Sequence, residues 1–191
     1  MRRLLFQSLT RRPLTEAAPA PADAALAELA ARVDGAARRR LGRSLAIREV
    51  DAGSCNGCEL EIHALGNAFY DLERFGIRFV ASPRHADVLL VTGPVTANMR
   101  EALKRTYVAT PEPKWVVAVG DCALDGGLFK ESYACVGGVS VVVPVDLHIK
   151  GCPPSPMQLL KGLLALLGAA AAKGGDTLSV EQRGIRKIVA G

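Results

Sequence analysis

The residues of this sequence best suited to chemistry are four cysteines, each within two residues of a glycine. GSCNGCELE carries Cys55 and Cys58, VGDCALDGG carries Cys122, and KGCPPSP carries Cys152. Thiolates are soft ligands that select zinc, copper(I) or iron–sulfur clusters. A structural zinc site usually has two close cysteine pairs, whereas here one C-x-x-C pair is followed by two single cysteines. The spacing favours an iron–sulfur cluster and leaves a structural zinc site as an alternative.

Strand and helix patterns alternate around these segments, and each segment follows a predicted strand. Such alternation predicts a doubly wound parallel α/β sheet, with ligands at the carboxyl ends of the strands. We therefore expect the four thiols to meet at one edge of the sheet. The predicted strands cover residues 44–51, 77–82, 87–93, 114–120 and 139–146, and the predicted helices 59–76, 96–110 and 156–172.

A fifth cysteine, Cys135, precedes the predicted strand 139–146 instead of following a strand. That places it at the opposite edge of the sheet, as a core or partner-facing residue. Glycines beside the other four cysteines are expected to let backbone N–H groups approach the sulfurs and favour a negatively charged cluster. These glycines are Gly53, Gly57, Gly120 and Gly151.

Length and charge bound the remaining possibilities. A chain of 191 residues suits one domain, here predicted as a 44–172 cluster-binding body with a 173–191 tail. Residues 1–43 are basic and Ala-rich, and Leu26, Leu29 and Val33 recur at helical spacing, which predicts a helical arm on the body, a partner or a membrane face. The net charge of +5 comes without interleaved aromatic residues, which argues against nucleic acid. Without a ~20-residue apolar run or an export signal, we expect a cytoplasmic location and reduced thiols.

Five motifs, in order, resemble a known family: CNGCELEI, YDLERFGI, SPRHADVLLVTG, GDCALDGG and PVDLHIKGCPPSP. Together they are similar to the small subunit of membrane-bound nickel–iron hydrogenases of the energy-converting and formate-hydrogenlyase type (group 4). That subunit is itself similar to the twenty-kilodalton iron–sulfur subunit of respiratory complex I. The resemblance covers about residues 45–168. The complex I subunit has adjacent cysteines at the first site, so the C-x-x-C here favours the hydrogenase branch.

The resemblance implies a flavodoxin-like fold and a single 4Fe–4S cluster ligated by Cys55, Cys58, Cys122 and Cys152. It implies an electron-transfer subunit of an oxidoreductase, located peripherally on the cytoplasmic side of the membrane. The implied partners are a large subunit that holds the nickel–iron active site, a ferredoxin-like iron–sulfur subunit and membrane subunits. The chain has only one C-x-x-C motif, so the nickel ligands belong to the partner. The alternative is the quinone-reducing 4Fe–4S subunit of a complex I-like NADH dehydrogenase.

Charged residues near the ligands in sequence are candidates for tuning the cluster. One of Glu59, Glu61 and His148 is hypothesised to exchange a proton as the cluster changes charge, which would couple electron and proton movement. The glutamates are equally placed to interact with a helix N-terminus, where the dipole favours carboxylates. Arg74, in the ERFGI motif, is predicted either to tune the field at the cluster or to form a surface ion pair.

Overall fold

The computed structural model describes residues 24–173, in which helices and strands alternate as the sequence predicts. The predicted tail beyond residue 173, and the part of the predicted arm before residue 24, lie outside the described residues. In chain order the elements are α1 (Ala24–Leu41), β1 (Ala46–Asp51), α2 (Gly57–Ala64), β2 (Arg78–Phe79), β3 (Val88–Thr92), β4 (Val95–Thr96), α3 (Ala97–Ala109), β5 (Trp115–Val119), α4 (Asp121–Asp125), β6 (Cys135–Gly137), β7 (Leu147–Ile149) and α5 (Pro156–Lys173).

Five parallel strands form the main sheet, in the order β2-β1-β3-β5-β7. The register pairs Ile47 with Val88, Val88 with Trp115, and Val117 with Leu147. Counted within the sheet, this is the 2-1-3-4-5 order of flavodoxin-like folds, in which the strand order reverses between β1 and β3. The predicted doubly wound α/β fold is confirmed.

Both faces of the sheet are covered, which explains why its central strands are apolar throughout. All five residues of β3 and all five of β5 are buried. One face packs against α1, α2 and α5 through a cluster that includes Ile62 and Leu160. The other packs against α3 and α4 through a cluster that includes Leu103 and Ala123. Strands buried on both faces read as continuous apolar runs instead of alternating ones.

Helix α1 is part of this core. Its residues Leu29, Val33 and Ala37 lie four positions apart, are buried and belong to the same cluster as the apolar face of α5. The helical stripe predicted from Leu29 and Val33 therefore packs on the body. The boundary at residue 43 stays a prediction. None of the helices between residues 24 and 173 is long and apolar enough to cross a bilayer.

Two predicted elements were wrong. The helix predicted over 59–76 ends at Ala64, because the side chain of Asn67 accepts hydrogen bonds from the N–H groups of Phe69 and Tyr70 and turns the chain. A 3₁₀ turn, Leu72–Phe75, then leads to Gly76, which has the left-handed conformation typical of a C-cap.

The strand predicted over 139–146 is a 3₁₀ turn at Val139–Val141 followed by irregular chain, and the edge strand β7 begins only at Leu147. A 3₁₀ turn and irregular chain therefore separate Cys135 from β7, the next strand of the main sheet. Cys135 is the first residue of β6, which pairs antiparallel with β4 in a separate two-stranded sheet, where it lies opposite Thr96.

Candidate metal centre

Four cysteines line one cavity at the carboxyl edge of the main sheet. Cys55 follows β1, Cys58 lies in the first turn of α2, Cys122 lies in α4 directly after β5, and Cys152 follows β7. The cavity has a volume of about 100 Å³. The other residues that line it are Ser54, Gly57, Gly93, Asp121, Gly151 and Pro153. Cys135 is not among the lining residues, and all five cysteines are free thiols.

The cysteines come from strands that are not all neighbours, since β3 lies between β1 and β5. The loop after β1 must therefore cross the end of β3. It does so over Gly93, where an added Cβ would lie 2.6 Å from the Cα and N atoms of Ser54. Any other residue at this position would push the loop away. Gly93 was not predicted as part of the site, although its place directly after an apolar strand was a usable signal.

Gly120, at the end of β5, lets the sulfur of Cys58 come close to the sheet. A Cβ on Gly120 would lie 2.7 Å from Cys58 Sγ and 3.4 Å from the carbonyl oxygen of Gly151. The residue has φ 88° and ψ 161°, a backbone conformation that is essentially restricted to glycine. The glycine predicted to permit close approach at Cys122 therefore acts on a different ligand, Cys58.

The four cysteines raise one another's pKa, because a negative charge on one sulfur disfavours ionisation of the next. The pKa of Cys58 is raised to about 12, mainly by burial. The negative charges of Glu59 and of the other three cysteines raise it further. Such mutual influence means that the four sulfurs lie close enough to interact electrostatically. No lysine or arginine is among the described residues that line the cavity. Four thiolates can coexist there only if positive charge enters with a ligand.

Cys122 has one compensating interaction. Burial raises the pKa of its thiol, while a hydrogen bond from the backbone N–H of Leu128 lowers it. The charges of Cys152, Cys55 and Asp121 raise it again. The Leu128 N–H therefore favours the thiolate form of Cys122 and would favour a negatively charged metal–sulfur group bound to it.

Four thiol donors around one cavity fit a thiolate-ligated metal group, and the cavity has room for one larger than a single ion. A cavity needs only about 15 Å³ to hold a water molecule. The space between the cysteines is several times larger than that. Within residues 24–173, no three side chains of His, Cys, Asp or Glu are arranged so that they could hold a metal ion. All four cysteines nevertheless line the one cavity.

Comparison with known proteins places this site in a family. The sequence pattern of the family described as NADH ubiquinone oxidoreductase, 20 Kd subunit, matches residues 55–166, which is more than half of the chain and contains all four cavity cysteines. The chain belongs to this complex I subunit family. The resemblance drawn from the motifs is confirmed.

Relatives from three organisms resemble the chain over most of its length. Formate hydrogenlyase subunit 7 of Escherichia coli is 45% identical over 135 residues, which cover 71% of this chain and 53% of that protein. A probable membrane-bound hydrogenase subunit of Pyrococcus furiosus is 47% identical, covering 66% of this chain and 76% of its own length. An uncharacterised protein of Methanocaldococcus jannaschii is 52% identical, covering 68% and 87%.

A solved structure agrees with the fold and the family. A chain of the membrane-bound sulfane sulfur reductase, described as an archaeal respiratory membrane complex, superposes with a TM-score of 0.62 and 34% identity. The match covers 76% of this chain and 78% of that chain.

The three residues predicted to tune the cluster, Arg74, His148 and Glu61, do not line the cavity. Arg74 is exposed, lies 3.7 Å from Asp71 and stacks over the ring of Phe75. His148 lies on β7 with a buried Nδ1 atom that has no hydrogen-bond partner among the described residues. Glu61 is half-buried on α2. Their proposed roles stay predictions.

Two further glutamates, the buried Glu59 and the half-buried Glu49, influence each other electrostatically. Glu59, in the first turn of α2, is buried, and neither of its carboxylate oxygens has a hydrogen-bond partner in the described chain. Glu49, on β1, lies 3.8 Å from His63. Burial raises the pKa of Glu49, the nearby His63 lowers it, and the charge of Glu59 raises it. Glu49 was not predicted, although a glutamate inside the strand AIREVD was a visible signal.

Proposed function

We propose that this chain is the electron-transfer subunit of a membrane-associated nickel–iron hydrogenase complex. One 4Fe–4S cluster, held by Cys55, Cys58, Cys122 and Cys152, would exchange single electrons with an active site in a partner subunit. The observation that carries the proposal is the assembly of four thiols around one cavity in a chain 45–47% identical to subunits of a formate hydrogenlyase and a membrane-bound hydrogenase.

The chain's own residues supply three things to such a group. Four thiolates would hold it, Gly93 and Gly120 at the strand ends let Ser54 and the Cys58 sulfur come close to the sheet, and the Leu128 N–H donates to the sulfur of Cys122. Hydrogen bonds to ligand sulfurs and solvent exposure are among the factors that set cluster potentials. Cys55 and Cys152 are exposed, so the site opens to the surface, where an electron-transfer partner would dock.

Exposed large side chains that lie close to the cysteines in sequence support the presence of a large partner subunit. In the segment after Cys122, Leu128 is 89% exposed and Tyr133 is fully exposed, while Phe129 is 41% exposed. Leu60, on the helix that begins at the first cysteine pair, is 60% exposed. Large apolar side chains grouped on a surface mark interaction sites. We infer that the active-site subunit covers this edge and that the assembly lies peripherally on the cytoplasmic side of the membrane, beside a ferredoxin-like subunit and membrane subunits.

The test is anaerobic purification of the native complex from its source, followed by iron, sulfide, nickel and zinc analysis. We expect about four irons and four sulfides for this chain, a paramagnetic signal after dithionite reduction, and nickel in a larger co-purified chain. Cys→Ser variants at the four positions should each lose the cluster signal. Cys135→Ser is the matched control, because Cys135 lies outside the cavity, and it should retain the signal. Stoichiometric zinc without iron would refute the proposal.

Two other functions are distinguished by the same preparation. The family description favours a quinone-reducing complex, and the solved sulfane sulfur reductase chain, at 34% identity, favours a sulfur-reducing one. In both alternatives this chain would still hold the cluster, and only the reaction catalysed by the partner subunit would differ. Nickel together with hydrogen production would select the hydrogenase. A nickel-free complex that reduces quinone, or one that releases sulfide from sulfane sulfur, would select one of the others.

A further inference from the structure

Asp121 joins the two loops that carry the single cysteines. Its side-chain Oδ1 accepts a hydrogen bond of 3.0 Å from the N–H of Gly151, and its own N–H donates a bond of 3.0 Å to the carbonyl oxygen of Gly151. Asp121 directly precedes Cys122, and Gly151 directly precedes Cys152. The reciprocal pair therefore fixes the backbone of one ligand against the backbone of the other.

The same arrangement occurs at the opposite end of the same two strands. There Oδ2 of Asp146 accepts a hydrogen bond of 2.9 Å from the N–H of Val116, and the N–H of Asp146 donates to the carbonyl oxygen of Val116 at 2.9 Å. Strand β7 has only three residues and lies at the sheet edge, so its ladder with β5 is short. Two exposed aspartates, Asp121 and Asp146, thus join β5 to β7 by hydrogen bonds, one at each end of the strand pair.

We propose that Asp121 is a positioning residue of the metal centre, which holds the Cys152 loop at the distance from Cys122 that the bound group requires. This inference rests on the proposed function. Two hydrogen bonds tie Gly151 to the Cys122 loop, and Asp121 makes both. Cys152 is exposed, so core packing does not fix its position in the way that burial fixes an interior side chain.

The negative charge of Asp121 disfavours the thiolate form of the neighbouring cysteines, so its charge and its hydrogen bond should have opposite effects on metal binding. A variant that removes only the charge can therefore separate the two. Asp121 is the one carboxylate among the described residues that line the cavity, and negative charge there disfavours four thiolates. Asp121→Asn keeps a side-chain oxygen that can accept from the Gly151 N–H and removes the charge. If position is the role of Asp121, the Asn variant should therefore hold the cluster as well as the wild type or better.

The experiment compares variants of the full chain, reconstituted anaerobically with iron and sulfide, by the rate of iron loss to a chelator and by the EPR spectrum of the reduced cluster. Loss of one such hydrogen bond should speed iron loss from Asp121→Ala about fivefold and alter its EPR line shape. Asp121→Asn should match the wild type in rate. Asp146→Ala, the matched control, removes the equivalent bond at the far end and should keep the wild-type rate and spectrum.

Asp121→Glu keeps the charge but moves the acceptor by one methylene, so iron loss should be faster than from the Asn variant even if the Ala variant fails to fold. The inference is overturned if the Ala variants at positions 121 and 146 lose iron equally fast, or if the Glu variant outlasts the Asn variant. A wild-type chain that takes up no iron and sulfide would instead refute the proposed function, and the inference with it.

Discussion

Replacing Gly120 by alanine tests whether close backbone approach builds the site. Gly120 has φ 88° and ψ 161°, where a side chain costs about 1–3 kcal/mol in backbone strain. The new Cβ would also lie 2.7 Å from Cys58 Sγ. Overpacking of this kind costs about 1–3 kcal/mol more. We therefore expect Gly120→Ala to lower the free energy of unfolding by about 2–6 kcal/mol.

The sulfur would have to move for the alanine to fit. Cys58 Sγ must retreat from 2.7 Å to at least 3.4 Å from the new Cβ before the contact becomes an ordinary one. That displacement is several times larger than the variation that metal–ligand distances tolerate. The variant should therefore also lose most of its iron. Urea denaturation of the full chain measures the first effect, and iron and sulfide analysis after anaerobic reconstitution measures the second.

Two comparisons isolate the contact with the sulfur. Gly42 has φ 68° and no heavy atom within 4 Å of an added Cβ. Gly42→Ala should therefore cost only about 1–2 kcal/mol of strain and keep the iron. In a Cys58→Ala background the clash with the sulfur disappears, so Gly120→Ala should then cost only its strain. If Gly120→Ala costs the same with and without the Cys58 sulfur, and keeps its iron, the reasoning from close approach is refuted.

Three further predictions concern charge and burial. Burial raises the pKa of Glu49 above 4.5, so the folded protein should become less stable as pH rises and this carboxyl group ionises. Glu49→Gln should therefore raise Tm near neutral pH but not in acid, and an equal gain in Tm in acid would contradict this reasoning. Because the pKa of Cys58 is about 12, metal must displace its proton, so reconstitution should slow as pH falls, as iron uptake would record. Buried Asp87 accepts hydrogen bonds from Arg43 and from the Ala46 N–H, so Asp87→Ala should cost about 2–4 kcal/mol in urea denaturation, and Asp87→Asn, which keeps an acceptor, less.

The layout of the sheet could be predicted because its central strands carry their own signal. Residues 88–92 and 115–119 are apolar almost throughout and are buried throughout, as strands covered on both faces must be. Once parallel strands alternate with helices, the segments that follow them must lie at one edge. The convergence of four distant cysteines follows from that topology without any knowledge of side-chain contacts.

The strand predicted over 139–146 was wrong for a local reason that outweighs the β-propensity of its residues. The run of valines over 139–145 favours a strand, but Val141 is 65% exposed and only Val139 and Val143 are buried among the valines there. β-propensity expresses fit to a half-buried pleated surface, and no neighbouring strand among the described residues offers that surface here. The edge strand instead starts where Asp146 fastens to Val116 of β5, a side-chain contact that periodicity does not reveal.

The position of the site follows from the reversal of strand order. In a 2-1-3-4-5 sheet, connections leave β1 and β3 toward opposite faces, which opens a crevice above the strand ends at that point. Here β1 leads to α2 on one face and β3 leads through β4 to α3 on the other, and Gly93 keeps the crevice floor clear of side chains. Cys55 and Cys58 follow β1, on one side of β3 in the sheet, and Cys122 and Cys152 follow β5 and β7, on the other. A side chain at Gly93 should therefore separate the two pairs of cysteines while leaving the rest of the chain folded. Iron and sulfide analysis after anaerobic reconstitution should show that Gly93→Val loses its iron, as each Cys→Ser variant does, and urea denaturation should still show a cooperative transition.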